Sequence, residues 1–337
     1  MAATHGILCI VPIAPERMSA SVDVPYPPLK LANRVLSLEG RGEPFAAYER
    51  LGAETKQALL SMLPADWSFE GKRVLDFGCG AGRTLRHFLA EANDAEFWGC
   101  DIDAESIAWL QRTLSPPLQV VQNGAEPPLS LGYQTFDLIW ALSVFTHLTD
   151  SSLPWLLELH KLLKPGGLLI ATYMGQWNGE VFTGEAWDEA RVGMNVLRPD
   201  QAWDDGGPVV LMSDWWVRAH WGRAFEILSV APQVHGQTWA LLQKRDVEVS
   251  VEMLAEPSDD PRELLALRHN ISQVERDRER ALAELREYYE RSLSWRITRP
   301  LREAARLARQ VRGRDGLLSD RRLRFKRSEG HRAVREP

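Results

Sequence analysis

The 337-residue sequence predicts an α/β fold, a doubly wound, mostly parallel sheet of seven strands followed by a C-terminal helical and coiled-coil segment. Three observations predict it. Short apolar runs alternate with amphipathic helical stretches through the first half of the chain, as a parallel sheet covered on both faces requires. A glycine-rich turn follows the first of those runs. Beyond residue 245 the composition changes to long charged stretches with heptad spacing.

The elements follow in order. Residues 1–28, rich in Pro and Ser, read as a flexible arm, and Met18 offers an alternative start. Residues 44–63 carry apolar positions at helical spacing behind Pro44, a residue suited to a first helical turn. "RVLDF" at 73–77 is the first strand, and "RTLRHFLAE" after the glycines is amphipathic and reads as a helix. "AEFWGCD" is the second strand, and "AESIAWLQRTL" is a helix ended by Pro116 and Pro117. "LQVVQ" and "FDLIWAL" are the third and fourth strands. "LPWLLELHKLL" is a helix stopped by "KPGG", and "LLIATY" is the fifth strand. Residues 174–212 lack periodicity and read as an insertion or lid. "SDWWVRAHWG" is a helix capped by Ser213, and "FEILSV" and "TWALLQK" close the sheet. The domain so defined spans 29–245. An acidic linker is expected over 246–261, one long helix or coiled coil over 262–295, and a basic tail over 296–337.

Composition narrows the function. The 45% of hydrophobic residues supports a substantial core. Cys9, Cys79 and Cys100 form no CxxC pair and no Cys/His cluster, so neither a zinc site nor a disulfide framework is implied, and the thiols fit a cytoplasmic protein. No window approaches the roughly 18 apolar residues of a membrane span. The net charge of −6 hides a division: from Arg296 onward 14 basic residues face 5 acidic ones, against 26 basic and 41 acidic before it. Such a tail suits an anionic contact or a solvated end.

"LDFGCGAGRT" at 75–84 carries the chemistry. Its Asp-Phe-Gly triplet spells a kinase metal-binding motif, but an upstream strand lysine and an HRDxxxxN loop are missing. A dinucleotide loop requires GxGxxG, and Arg83 stands where its third glycine belongs. Asp76, closing the strand, would repel a pyrophosphate and welcome an ammonium. Amides at the glycine turn and helix start are then expected to receive a carboxylate.

"VLDFGCGAGRT" resembles motif I of class I S-adenosylmethionine-dependent methyltransferases, a family with a Rossmann-like sheet. "FWGCDID" resembles motif II, "QNGAE" occupies the adenine-contacting place, "FDLIWALSVFTHL" resembles motif IV, and "LLKPGGLLIATY" the helix, turn and strand after it. The resemblance covers roughly residues 44–243. It implies S-adenosyl-L-methionine as cofactor, held by Asp76, Gly78, Cys79, Gly80 and Gly82 at the loop. It further implies Asp101 on the ribose hydroxyls with Ile102 beside it, Asn123 and Gly124 at the adenine, and Ala141 at the end of the fourth strand. Asp103 is read as a helix cap, and no metal is needed.

Methyl transfer is an in-line displacement in which positioning dominates and a hydroxyl acceptor gains from a base. His147, just after the fourth strand, is a candidate base or acceptor contact, or else orders its loop. Tyr173, ending the fifth strand, lines the pocket or packs in the core, and Trp177 is similar. His235 reads as a structural turn. Nine of the 13 tryptophans fall between 140 and 239, suited to stacking on sugars or to core packing.

"RSLSWRITRPLREAARLAR" resembles an element that follows coiled coils in many bacterial glycosyltransferases and polysaccharide-modifying enzymes. The readings left open are O-methylation of a sugar on a cell-surface glycan or lipid-linked precursor, methylation of a small secondary metabolite, and a cofactor-binding scaffold recruiting glycosyltransferases. Self-association through 262–295 and peripheral attachment of the tail to the inner face of a membrane, or to glycosyltransferases, go with the first. Nucleic acid is disfavoured by the acidic body.

Overall fold

The structure is a computed structural model and describes residues 24–34, 43–291, 297–298, 300–302 and 304. The first 23 residues of the arm, and nearly all of the tail with its proposed contacts, lie outside the described residues.

Eight helices and nine strands organise the described residues. The helices are α1 (Leu29–Arg34), α2 (Pro44–Met62), α3 (Ala104–Thr113), α4 (Ser152–Leu162), α5 (Gln176–Thr183), α6 (Asp214–His220), α7 (Val251–Ala255) and α8 (Pro261–Arg291). The strands are β1 (Arg73–Phe77), β2 (Glu96–Asp101), β3 (Gln119–Gln122), β4 (Phe136–Ala141), β5 (Leu163–Tyr173), β6 (Met194–Leu197), β7 (Val209–Met212), β8 (Phe225–Val234) and β9 (Gln237–Lys244). Seven of them form one sheet in the order β3-β2-β1-β4-β5-β9-β8, in which β9 alone runs against its neighbours. Strand order reverses between β1 and β4. In such sheets ligands bind in the crevice at the carboxyl ends beside that reversal.

Alternating side chains explain why the sheet is covered twice. Leu75, Phe77, Ile139 and Leu169 enter one core, whereas Val74, Leu138, Trp140 and Ile170 enter the other. Trp140 is fully buried against Phe88, with ring centroids 5.0 Å apart; truncating such a ring to Ala costs about 3–5 kcal/mol. Local chemistry fixes the helix starts. Glu43 caps α2 ahead of Pro44, Asp103 caps α3 as expected, and Ser213 accepts from the Trp216 amide at 3.4 Å to cap α6.

Three stretches depart from expectation. The segment 83–91 is not an α-helix; it breaks into 3₁₀ turns at 85–88 and 91–93. Its path is set from outside. Buried Arg86 donates to the carbonyls of Val24 and Pro25 and lies 4.6 Å from the Tyr26 ring, and α2 presses Gly52 against the Arg83 carbonyl. The insertion 174–212 holds α5 and the antiparallel pair β6–β7, too short to show periodicity. The stretch read as a linker contains α7, whose Leu254 is fully buried.

The chain divides into two compact units between Leu267 and Arg268. The first unit therefore includes the root of α8. There Glu263 receives a hydrogen bond from His220 Nε2 at 3.0 Å, His220 Nδ1 donates to the Leu254 carbonyl at 2.8 Å, and both side chains are buried. Arg262 lies 5.1 Å from the Trp215 ring and 4.0 Å from the Glu189 carboxylate. In the second unit α8 carries an apolar seam in solvent, with Ile271, Val274, Leu285 and Tyr288 each at least half exposed. No described helix is long and apolar enough to cross a membrane.

Candidate active site

The glycine turn leaves β1 at the carboxyl edge of the sheet and folds onto β2. Gly78 and Cys79 both donate their amides to the Cys100 carbonyl, at 2.8 and 3.0 Å. The Gly80 amide donates to Asp101 Oδ2 at 2.7 Å, and the Gly82 amide to the Cys79 carbonyl at 2.9 Å. This corrects the expectation for the turn: these four amides are engaged internally, and no regular helix begins behind them. Two of the glycines are required by the protein itself. Gly78 has φ +84, and a Cβ there would sit 2.3 Å from Val144 Cγ2. Gly82 has φ +76, and its Cβ would meet Leu110 Cδ2 at 2.7 Å. Cys79 is buried, its thiol pushed well above the usual range by that burial.

Asp76 and Asp101 face this turn from adjacent strands. Asp76 is 4% exposed, and burial pushes its carboxyl up to about 7. The Trp140 indole beside it on β4 draws it down without closing a hydrogen bond, Asp101 raises it, and Arg83 lowers it. Burial also raises Asp101, opposed by amide hydrogen bonds from Asp103 and Gly80. Each Asp101 oxygen thus accepts one amide and retains a lone pair. Asn123 follows β3; its amide donates to the Asp101 carbonyl at 3.1 Å, and its Oδ1 is buried without a hydrogen-bond partner. Gly124 is exposed beside it, Ile102 is half-buried, and Ala141 is fully buried at the end of β4.

Further along the same edge a cavity of about 300 Å³ opens between the start of α5, the start of α6 and the β8–β9 turn. Trp177, 46% exposed, and Trp187 form its aromatic surfaces, and Asn178, Glu189, Asp214, Gln176 and Gln237 its polar ones. Because Tyr173 of β5 pairs with Thr238 of β9, the cavity lies at the end of the sheet that carries Asp76. Two strand spacings separate β1 from β5, roughly 10 Å. Gln237 Nε2 donates to Ser143 Oγ at 2.8 Å, tying the cavity to the loop after β4.

His147 lies on that loop. Its Nδ1 donates to the Pro208 carbonyl at 2.7 Å, which in the neutral ring leaves the lone pair on Nε2. The histidine orders its loop, but it is not among the residues lining the cavity. Tyr173 does not line it either. It is fully buried, and its hydroxyl donates to Asp214 Oδ1 at 2.5 Å; burial, then that bond, raises its pKa. Tyr173 positions Asp214, which does line the cavity. His235, exposed with φ +49, sits in the β8–β9 turn as expected.

Comparison with known proteins decides the assignment of the central segment. The family described as "Methyltransferase domain" matches residues 75–169, from β1 into β5. Residues 75–169 are thus similar to a methyltransferase domain. The ubiquinone biosynthesis O-methyltransferase of Cereibacter sphaeroides is 32% identical over 130 residues, 38% of this chain and 50% of that relative. The chain therefore spans about half the length of the curated relatives it matches. Among solved structures, an S-adenosylmethionine-dependent methyltransferase from Mesorhizobium loti aligns at 17% identity and a TM-score of 0.41, over 57% of this chain and 99% of that one. Phosphoethanolamine N-methyltransferase 1 of Haemonchus contortus, in complex with phosphoethanolamine and S-adenosylhomocysteine, aligns at 16% identity and a TM-score of 0.42, over 61% and 46% of the two chains.

The residues gathered at this edge fit S-adenosylmethionine as the cofactor of the matched segment. A buried acid of raised pKa suits an ammonium, a second acid with spare lone pairs suits a vicinal diol, and the orphaned Asn123 Oδ1 suits an exocyclic amine. Sequence reasoning missed Asp214, Glu189 and Gln237. Asp214 was hidden as the first residue of a capped helix, and the other two lie in stretches without a motif.

Proposed function

We propose that the protein transfers a methyl group from S-adenosylmethionine to a hydroxyl of a sugar. When bound, that cofactor supplies an electrophilic methyl group. Asp76 holds its ammonium, Asp101 its ribose hydroxyls and Asn123 its adenine, with Ile102 and Ala141 beside them. The cavity at the carboxyl edge carries the reading. Its volume falls at the small end of ligand pockets, and it combines an exposed indole face with several fixed polar groups, the chemistry that receives a ring apolar on its faces and hydroxylated around its rim. His147, outside the cavity wall but on the loop that Gln237 ties to it, accepts through its Nε2 lone pair the proton of a hydroxyl that projects from the cavity toward that loop. The Pro208 carbonyl, accepting from Nδ1, fixes the ring and steadies the imidazolium that forms.

A second reading, a small phenolic acceptor, is favoured by the name of the Cereibacter sphaeroides relative, itself an O-methyltransferase. Incubation with labelled cofactor against a glycan extract and against a set of catechols separates the two. Label in the glycan fraction supports the proposal, and label confined to the catechols refutes it. Within the proposal, H147Q lowers turnover about 10²–10⁴-fold and leaves S-adenosylhomocysteine binding unchanged; full turnover in that variant removes His147 from its role. The proposal extends to the rest of the chain, with self-association along the α8 seam and peripheral attachment of the basic tail beside glycan-assembly enzymes.

A further inference from the structure

The cavity lacks any cationic side chain. None of the residues lining it is Lys, Arg or His, whereas two, Asp214 and Glu189, are carboxylates. Three of its four side-chain amides spend one of their two N–H donors within the protein, while their oxygens keep both lone pairs. Gln176 Nε2 donates to Glu180 at 3.1 Å, Asn178 Nδ2 to the Gly236 carbonyl at 2.9 Å, and Gln237 Nε2 to Ser143 Oγ at 2.8 Å. What these groups leave for a ligand is predominantly oxygen lone pairs. Tyr173 fixes one oxygen of Asp214, so the other is a preoriented acceptor at the wall. The Trp187 indole donates to Glu189 Oε2 at 2.6 Å and Arg262, itself paired with Asp260, lies 4.0 Å from that carboxylate, which leaves Asp214 as the less engaged of the two acids.

Resting on the sugar reading above, we infer that this cavity selects a neutral, hydroxyl-rich ring and rejects an anionic one, with Asp214 as the residue that determines the choice. Hydroxyls donate to a wall of acceptors. A uronate or phosphate at the same place brings more acceptors and a like charge, which must be desolvated against Asp214. Glu189, the second carboxylate of the wall, adds to the discrimination, and Trp177 contributes affinity for any ring whatever its charge.

The test uses the full chain loaded with S-adenosylhomocysteine. Binding of methyl glucopyranoside, methyl glucuronide and methyl glucosaminide is compared by saturation-transfer NMR and calorimetry. The neutral ring binds at least about tenfold more tightly than the uronide. D214N keeps an acceptor for Tyr173 and presents an amide donor in place of the second oxygen. It therefore weakens the neutral ring about tenfold and narrows or reverses the preference. Q237E, elsewhere on the wall, widens the preference if the logic of acceptors holds. Equal or tighter binding of the uronide to the unaltered protein overturns the inference while leaving the sugar reading intact, as does a preference unmoved by D214N. Binding of the aminosugar alone overturns it in favour of an amine acceptor. If S-adenosylhomocysteine binds and no ring does, the sugar reading itself fails.

Discussion

Asp76 couples cofactor binding to pH, and the coupling can be worked out. Its carboxyl, ordinarily near 3.8, is pushed up to about 7 by burial. In the unfolded chain it ionises near its ordinary value, so between roughly pH 4 and 7 the folded state holds a proton that the unfolded state has released. Stability from this group is full below the lower value and is lost as pH rises to the upper one. A shift of about 3 units corresponds to a cost on the order of 4 kcal/mol for the ionised form. The cofactor's ammonium relieves that cost, and binding therefore favours the carboxylate. With a pKa near 7, roughly a tenth of the protein is ionised at pH 6 and nine-tenths at pH 8, so affinity rises about tenfold across that interval. The assay is calorimetry with S-adenosylhomocysteine at half-unit steps, beside urea denaturation of the unliganded protein and of D76N. The variant binds weakly with no dependence on pH. Its stability advantage over the unaltered protein grows from pH 4 to 7 toward the same few kcal/mol. Comparing the two proteins cancels the remaining carboxylates, several of which are held below their usual values by Arg or Lys partners and act in the opposite direction. A flat affinity profile, or a stability difference that does not move with pH, refutes the reasoning.

Other perturbations follow from the packing. G78A places a Cβ 2.3 Å from Val144 at positive φ and destabilises by about 2–5 kcal/mol, read in urea; V144A in the same chain recovers the steric part and leaves the backbone part. H220A leaves the buried Glu263 carboxylate with Ser258 as its remaining partner and no counter-charge, and costs about 3–5 kcal/mol, whereas E263Q in the same chain recovers much of that loss. For the tail, flotation with anionic vesicles compares the full chain with one ending after Leu267, which keeps Glu263 and Ala266 in place; only the full chain floats, and equal flotation ends the idea of membrane attachment.

The parallel sheet was legible because its central strands β1, β4 and β5 are buried on both faces and read as apolar runs, with capping residues marking helices between strands. The acids at the carboxyl ends of β1 and β2 were legible for the same reason, since each ends such a run. The segment after the glycine turn misled because its apolar spacing is helical, while its conformation is governed by Arg86 reaching back to Val24 and Pro25, some 60 residues earlier. The cavity wall was invisible for a similar reason. Asp214, Glu189 and Gln237 come from three separate stretches, and only the pairing of β5 with β9 brings the last of them to the edge where Tyr173 orients the first. The stretch holding α7 read as a linker because a single residue, Leu254, carries its burial against a background of acidic residues.

Arg262 has a mechanical consequence. It belongs to the first turn of α8, yet it rests on Trp215 and faces Glu189, so the place where the long helix is rooted is also part of the frame around the cavity. Whatever loosens that first turn is therefore transmitted, through one indole and one carboxylate, to the wall of the cavity.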